Sequence, residues 1–291
     1  LPLTMRPDLA HGQTAREERL REQLVDIVDS AGLSDAIGLL VADTHTGREI
    51  FQRNSRTPRN PASNMKVLTA ATALHELGPQ FRMDTVLRGT VEEKGRVPLL
   101  VLEGEGNPEL SLGDLLELAG QLKRAGVRRV ARVVVDGSYF DDQVLPPSFE
   151  KQPGEMAAFR APVAAVSVNR NAYRICITPV PGDDAPQNVL LEVPGYFDVD
   201  DEGLEATASG PPNIFLDQRA GNKRLKLKLR GTVPLNLPRG RCYRRRVHHP
   251  HYHAGHAMLQ ALHMQDIAAP AKVEVGRASE ELPTLARHKS P

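Results

Sequence analysis

An almost uncharged, alanine-rich segment opens shortly after a proline and constrains the fold more than any other stretch. Residues 63–77 carry apolar side chains most of the way round a helical projection, and Gly78-Pro79 is a strong helix stop. Pro61 disfavours helical backbone at Asn60, so the helix must begin after it. Because a helix that is apolar on nearly all sides normally lies in a domain interior, the sequence predicts a buried helix here.

Ser63 and Lys66 lie three residues apart at the start of this helix and therefore share one of its faces. A serine hydroxyl becomes a good nucleophile when a neighbouring base takes its proton, and a suitably placed lysine can be that base. The unpaired N–H groups of the helix start also suit a developing oxyanion. We therefore predict Ser63 as nucleophile and Lys66 as base. An N-cap serine beside a surface lysine is the ordinary explanation of an isolated Ser-x-x-Lys.

The rest of the chain mixes short strands with a few helices. Apolar periodicity predicts helices at 14–31, 111–125 and 251–265, and strands at 37–42, 49–52, 85–91, 97–102, 130–135, 164–169, 173–178, 189–193, 224–230 and 272–275. A short Gly-containing link joins the first two strands as a hairpin. Ser111 and Asp114 have the spacing of a helix capping box, and in 224–230 leucines alternate with basic residues as in a half-buried strand. Because strands and helices do not alternate regularly, the pattern predicts an α+β fold, and the length allows two domains at about 150 residues each.

Composition excludes several classes of protein. Lys and Arg number 37 against 36 Asp and Glu, which argues against a globally basic nucleic-acid-binding protein. No apolar run reaches the roughly 18 residues that a transmembrane helix needs. The two cysteines, Cys176 and Cys242, are too few for a disulfide scaffold or a four-cysteine zinc site, and the sequence leaves open whether they are free or paired.

Two further clusters have competing explanations. The first consists of six histidines: His248, His249, His251, His253, His256 and His263. Two of them lie one helical turn apart, as in a metal site, but no carboxylate is close in sequence, so we expect surface histidines and no metal. The second cluster is residues 218–265, with eleven Lys and Arg and no Asp or Glu. It predicts a solvated basic face, or one that attracts an anionic polymer, and its few aromatics argue against nucleic acid.

The segment around Ser63 resembles a known family. NPASNMKVLTAATALHELGPQFRMDT, residues 60–85, is similar to the first active-site motif of the penicillin-binding D-alanyl-D-alanine carboxypeptidase/endopeptidases of low-molecular-mass class C. The resemblance continues in four further blocks: GEGNPEL at 104–110, DGSYF at 136–140, APVAAVSVN at 161–169 and GTVP at 231–234. Asn107 departs from the Asp that similar members usually carry.

The resemblance implies part of a transpeptidase/β-lactamase-like domain, interrupted by inserted β-rich domains. On that pattern five segments are expected: 14–86 as the amino-terminal part of the transpeptidase-like domain, 87–165 as the first part of the insert, 166–230 as a second, nested insert, 231–283 as the return of the first insert, and 284–291 as the start of the returning catalytic half.

The same resemblance implies a function. Ser63 would be acylated by peptidoglycan stem peptides or by β-lactams, outside the cytoplasm and without a cofactor. A non-catalytic cell-wall-binding protein that keeps the fold is the alternative.

Two more motifs complete such a site, a Ser-x-Asn and a Lys-Thr-Gly. Ser167-Val168-Asn169 matches the first in letters but falls in a predicted strand, and His45-Thr46-Gly47 is better explained as the hairpin turn. No Lys-Thr-Gly occurs. We therefore expect the chain to be an amino-terminal portion of such an enzyme, with no secretory leader in residues 1–13.

We predict that these 291 residues alone hydrolyse a D-Ala-D-Ala peptide slowly or not at all. In the family, the Lys-Thr-Gly strand binds the substrate carboxylate and provides the second oxyanion N–H, and its loss removes much of the transition-state stabilisation. The measurement is release of free D-alanine from a D-Ala-D-Ala tripeptide. Efficient release would show that the missing motif is dispensable.

Overall fold

The computed structural model describes residues 15–33, 36–147, 149–180, 187–237, 239–277 and 281–291. Two predictions fall outside these ranges. They are the absence of a secretory leader in residues 1–13 and the start of the first helix at Thr14. The chain divides into two compact units, Leu1–Gln80 and Phe81–Pro291. Among the described residues, none of the helices combines the length and the apolar character that crossing a membrane requires.

The first unit consists of a helix, a hairpin and a second helix. Its elements are α1 (Ala15–Ser30), β1 (Leu39–Ala42), β2 (Glu49–Arg53) and α2 (Met65–Leu77). The two strands pair antiparallel, which confirms the predicted hairpin. In the turn, the Asp43 carboxylate accepts the N–H groups of His45 and Thr46. Gly47 has φ +72°, a conformation that glycine adopts without steric cost.

The predicted burial of α2 is wrong for the described chain, because none of its residues is buried. Val67 and Leu68, for example, are 69% and 61% exposed. The helix itself forms as predicted, since alanine and leucine favour helical backbone without tertiary contacts, and Gly78 ends it with φ +78°. Apolar periodicity therefore located the helix but not the surface that covers it.

The second unit contains two helices and thirteen strands in its described part. In chain order they are β3 (Asp84–Arg88), β4 (Arg96–Val97), β5 (Leu100–Gly104), α3 (Leu112–Arg124), β6 (Arg129–Val130), β7 (Val133–Asp136), β8 (Ala172–Pro179), β9 (Gln187–Leu191), β10 (Phe197–Thr207), β11 (Asn213–Ala220), β12 (Leu225–Pro234), β13 (Arg241–Arg246), α4 (Pro250–Met264), β14 (Val273–Val275) and β15 (Thr284–Lys289). Helices and several separate sheets confirm the α+β class.

A mixed five-stranded sheet, in the order β14-β7-β5-β3-β15, is the centre of the second unit. The parallel pairs β5–β7 and β7–β14 are connected through α3 and α4 respectively, so two local crossovers exist within a fold that is not regularly alternating. Residues 137–249 are inserted between β7 and α4 and carry two three-stranded sheets, β13-β8-β9 and β10-β12-β11. Residues 96–97 and 129–130 form a small parallel pair.

The first and last strands of this unit pair with each other. β15 runs antiparallel to β3, with Lys289 opposite Asp84 and His288 opposite Thr85. The segment expected to begin a returning catalytic half therefore forms an edge of the central sheet. All five predicted segments and their boundaries stay predictions.

The two inserted sheets show how the leucines of β12 are buried and whether the two cysteines pair. In β12 the leucines at 225, 227 and 229 are buried and the lysines between them exposed, as the alternation predicted. Cys176 and Cys242 lie directly opposite each other on β8 and β13 and form a disulfide.

The strand predicted at 164–169 is wrong. This stretch is a buried loop in which the Ser167 hydroxyl donates to the Ala164 carbonyl oxygen at 2.8 Å. It ends at Asn169, the first of three consecutive residues with positive φ, Asn169, Arg170 and Asn171. An apolar run alone does not distinguish a strand from a packed loop, because both are buried.

We predict that Ser111→Ala lowers the free energy of unfolding by about 1 kcal/mol, the usual cost of losing an N-cap. The Ser111 hydroxyl accepts the Asp114 N–H at the start of α3, and the Asp114 carboxylate accepts the Ser111 N–H, so the predicted capping box is present. Urea denaturation measures the change. Ser209→Ala, at an exposed serine outside any helix, is the matched control and leaves the midpoint unchanged. Equal effects of the two substitutions would contradict the capping role.

Candidate active site

Ser63 and Lys66 are in direct contact. The Lys66 ammonium donates to the Ser63 hydroxyl with Nζ 2.8 Å from Oγ, and both side chains are exposed to solvent. This distance is within the range for proton transfer between a nucleophile and its base. The three-residue spacing therefore produces the side-chain pair that the sequence predicted.

A tight turn sets the position of Ser63. The Asn60 side-chain oxygen accepts the Ala62 N–H at 2.9 Å, and the Pro61 carbonyl accepts the Asn64 N–H at 2.9 Å. Ala62 has φ +44°, a conformation that costs free energy for any residue except glycine. Ser63 thus lies in a 3-10 turn, Ala62–Asn64, that leads into α2, one turn before the regular helix begins.

The loop before this turn is hydrogen-bonded to the segment that precedes the hairpin. The Arg59 guanidinium donates to the carbonyl oxygens of Ala36 at 2.8 Å and Ile37 at 2.9 Å, and the Asn54 side-chain amide donates to Ile37 at 3.2 Å. These bonds connect the chain just before β1 to the chain just before Ser63. Ser63 is therefore supported on both sides, by the loop and by α2.

Sequence reasoning missed Asn60 and Ala62. Asn before Pro is a common turn opener, so a signal for Asn60 was present. The left-handed backbone of Ala62 had none, because nothing about an alanine indicates positive φ. Such strain beside a nucleophile is typical of functional sites.

An apolar groove of about 570 Å³ runs along α2 next to this pair. It is lined by Met65, Leu68, Thr69, Thr72, Ala73, Glu76 and Leu77. A continuous exposed apolar surface of this kind marks a place where other polypeptide or a ligand binds.

The two segments that resemble the Ser-x-Asn and Lys-Thr-Gly motifs in sequence have structural roles. The Ser167 hydroxyl is buried, donates to Ala164 and accepts the Asn171 side-chain N–H at 2.8 Å, so its bonds are used within its own loop. His45-Thr46-Gly47 forms the hairpin turn as predicted.

The expectation of surface histidines is wrong for part of the histidine cluster. His253 is 1% exposed, and its ring lies edge-on to Tyr196 with the centroids 5.2 Å apart. Burial lowers the pKa of His253 to about 3, and burial together with nearby cationic groups lowers the pKa values of His248 and His256 to about 4. Burial also lowers the pKa of His251. These rings are neutral at neutral pH, and the His253 ring lies in the core.

The described residues contain one group of three potential metal ligands, and it lies outside this cluster. It consists of Asp114, Glu117 and His288, with ligand atoms within 4.8 Å of one another. One Asp114 oxygen belongs to the capping box of α3, and the other faces the His288 ring at 3.8 Å. Helix capping and a histidine–carboxylate contact account for this arrangement.

Comparison with known proteins gives one family. The profile of the D-Ala-D-Ala carboxypeptidase 3 (S13) family matches residues 20–291. A D-alanyl-D-alanine carboxypeptidase of Actinomadura sp. (strain R39) is 28% identical over 306 residues, which cover 100% of this chain and 56% of that protein. The D-alanyl-D-alanine carboxypeptidase DacB of Haemophilus influenzae is 26% identical over 163 residues, 54% of this chain and 34% of that protein.

Solved structures show the same fold. The crystal structure of penicillin-binding protein 4 (dacB) from Haemophilus influenzae matches with a TM-score of 0.64 at 22% identity, over 87% of this chain and 56% of that one. A structure of the same protein complexed with a β-lactam matches with a TM-score of 0.59 at 21% identity, over 91% and 57%. The chain thus spans little more than half the length of these proteins.

We predict that stability falls as the pH is lowered from about 6.5 towards 4. The pKa of His253 is about 3 in the folded protein against 6.5 when unfolded, so in this window the unfolded state binds more protons. The free energy of unfolding then decreases by about 1.4 kcal/mol per pH unit for this histidine. Urea denaturation across the window measures the slope.

His253→Gln removes that contribution and flattens the slope, whereas His45→Gln, at an exposed turn residue, leaves the slope unchanged. An unchanged slope in the His253 variant would contradict the assignment of a neutral buried ring.

Proposed function

The chain belongs to the D-Ala-D-Ala carboxypeptidase 3 (S13) family, and from this membership we propose that it provides the nucleophile of a serine-type D-Ala-D-Ala carboxypeptidase or endopeptidase acting on peptidoglycan stem peptides. The observation that carries the proposal is the 2.8 Å contact between Lys66 Nζ and Ser63 Oγ.

The proposed reaction has two steps. Lys66, as the neutral amine, accepts the Ser63 hydroxyl proton while Oγ attacks the carbonyl carbon of the D-Ala-D-Ala amide. The C–N bond breaks, the leaving D-alanine amine receives that proton, and the shortened peptide remains as an ester on Ser63. Water then attacks the ester carbonyl and gives a proton to the Lys66 amine. The C–O bond to Ser63 breaks, the peptide leaves with a new terminal carboxyl group, and Lys66 returns the proton to Oγ. The Ser63 N–H, at the start of the helical turn, can donate to the oxyanion in both steps.

We further propose that polypeptide outside these 291 residues covers α2 in the active enzyme. The apolar side chains around the site support this, since Val67, Leu68 and Leu74 are 69%, 61% and 59% exposed. Such a cover would exclude water from the Ser63–Lys66 pair, which strengthens the electrostatic interactions at the reacting atoms. It would also carry the second oxyanion donor and the carboxylate-binding group that are absent from this sequence.

Two features support β-lactam acylation in an extracytoplasmic compartment. A β-lactam is present in one of the related crystal structures, of a protein whose fold this chain shares. The Cys176–Cys242 disulfide is of the kind that persists in oxidising compartments such as the periplasm.

We predict that Ser63→Ala abolishes covalent labelling by a fluorescent penicillin in the protein purified from its native cells. The ester to the drug requires the Ser63 oxygen, and no other atom replaces it. Denaturing gel fluorescence after a timed exposure measures the label. Ser55→Ala, at a partly exposed serine of the first unit, is the matched control and labels like the wild type.

Lys66→Gln tests the base separately. It keeps an unbranched polar side chain, one atom shorter, that cannot accept the proton, so the labelling rate falls by about 10²–10⁴-fold, the usual contribution of general base catalysis. Undiminished labelling of Ser63→Ala would disprove the nucleophile, and an unchanged rate in Lys66→Gln would disprove the base.

A further inference from the structure

The cations of residues 218–265 are not equivalent in the folded protein. On β12, Lys228 pairs with Asp200 of β10 at 2.8 Å, and Arg224 just before β12 pairs with Asp198 at 2.7 Å. These cations are therefore neutralised by the neighbouring strand.

The arginines of β13 lie on both faces of the sheet β13-β8-β9. Side chains alternate along a strand, so Arg241 and Arg245 share one face with Tyr243, and their guanidinium carbons lie 5.9 and 5.7 Å from its ring centroid. Arg244 lies on the other face, directly opposite Arg174 of β8. Arg174 and Arg244 are both exposed, and we call them the arginine pair.

The arginine pair is a repulsive contact. Directly opposed side chains have Cβ atoms about 4.5–5.5 Å apart, and like charges in these positions repel. Among the described residues, the ion pairs within 4 Å include neither guanidinium, and Arg174 donates to a weak acceptor, Cys242 Sγ, at 3.4 Å. The Cys176–Cys242 disulfide lies two residues along on the same face and crosslinks the two strands. The strands therefore cannot separate to relieve the repulsion.

The arginine pair lines a cavity of about 370 Å³ together with Glu109, Arg170 and Glu192. Glu109 pairs with Arg170 at 2.6 Å, so these two charges cancel. Glu192 accepts the Asn169 side-chain amide, a neutral donor, at 3.0 Å. It therefore contributes one negative charge against the two positive charges of the arginine pair, and the lining of the cavity has a net positive charge.

A phosphate monoester matches the arginine pair better than a carboxylate does. At neutral pH it carries about 1.5–2 negative charges and three acceptor oxygens, whereas a carboxylate carries one charge. Each guanidinium can donate two parallel hydrogen bonds to phosphate oxygens, so one phosphoryl group can neutralise both arginines. The volume of about 370 Å³ lies within the range of small-molecule pockets, which leaves room for the organic part of such a ligand.

The two carboxylates of the cavity favour a ligand that also carries hydroxyl groups. An ionised carboxylate has about four lone-pair sites, so Glu109 and Glu192 can accept hydrogen bonds beyond those they already hold. Hydroxyl groups donate to these sites without adding charge. A zwitterionic amino acid would bring no net negative charge to a cavity whose own net charge is positive.

We propose that this cavity binds a phosphate monoester of a small polyol or sugar, with the phosphoryl group on the arginine pair and hydroxyl groups donating to Glu109 and Glu192. The bound phosphoryl group removes the repulsion between the two guanidinium groups, because it places negative charge between them. The site uses neither Ser63 nor Lys66, so the proposal does not depend on the proposed catalysis.

Calorimetric titration of the full 291-residue chain with glycerol 3-phosphate, near 0.1 M salt, tests the proposal. Arg174→Gln/Arg244→Gln weakens binding about 100-fold, or about tenfold for each charge-assisted contact that is lost. The matched control, Arg239→Gln/Arg241→Gln, removes the same charge from two exposed arginines that do not line the cavity, and its affinity stays within about twofold of the wild type. Equal weakening by both double variants would reduce the effect to net charge and overturn the proposal.

The choice of ligand tests the contacts of the hydroxyl groups. Glycerol 3-phosphate binds about fivefold more tightly than inorganic phosphate, because its hydroxyl groups add hydrogen bonds to the carboxylates. Glu192→Ala reduces this preference, since one acceptor is lost. Equal affinity of the wild type for the two phosphates would overturn the hydroxylated ligand. Tighter binding of D-alanine than of glycerol 3-phosphate would overturn the phosphate ester in favour of a zwitterion.

Thermal unfolding gives a second readout and shows that the variants fold. Without ligand, the variant that lacks the arginine pair is at least as stable as the wild type, since a repulsive contact is removed. Glycerol 3-phosphate raises the melting temperatures of the wild type and of the control variant, because it binds the folded state. It does not raise that of the variant without the arginine pair. An equal rise in all three proteins would place the ligand elsewhere and overturn the proposal.

Discussion

Burial of one face of the five-stranded sheet beneath α3 and α4 is the constraint on which the second unit depends. Leu87, Leu102 and Val133 are fully buried in this core. The approach is closest at Gly255 of α4, where a Cβ would lie 2.2 Å from a methyl carbon of Val273, so only glycine fits. Parallel neighbours such as β7 and β14 need a crossover that covers the sheet, and α4 provides it. The long segment 137–249 can be accommodated because it leaves at the end of β7 and returns at the start of α4, before that helix crosses to β14.

The elements that the sequence predicted are those whose pattern is local. The capping box at Ser111, the hairpin turn at Asp43 and the alternation of β12 all depend on residues close together in the chain. The strands it missed depend on their partners. β10 is rich in Asp and Glu, which disfavour strands, but two of its carboxylates, Asp198 and Asp200, lie opposite lysines of β12 once the sheet forms. The pairing of β15 with β3 joins the two ends of the unit and has no local signal.

The candidate site also has a part that the sequence predicted and a part that it did not. The contact between Ser63 and Lys66 follows from helical spacing, and the sequence predicted it. The turn that holds Ser63 depends on the left-handed backbone of Ala62 and the side chain of Asn60, and no periodicity encodes these. The predictions of burial were wrong in both directions: α2 is apolar but exposed, whereas His253 is polar but lies in the core. The periodicity of a sequence shows which side of a helix or strand is apolar, but it does not show which part of the protein covers that side.

The exposed face of α2 couples stability to the proposed chemistry. Burying a leucine, valine or methionine side chain contributes about 1.5–3 kcal/mol, and α2 exposes five: Met65, Val67, Leu68, Leu74 and Leu77. Polypeptide that enclosed the helix would gain much of that free energy and would at the same time remove water from the Ser63–Lys66 pair at the helix start. The binding energy that completes the fold would then also prepare Ser63 for the proposed reaction. An uncovered helix keeps the contact between Ser63 and Lys66 but leaves the pair in water, where the electrostatic interactions that support the reaction are weaker.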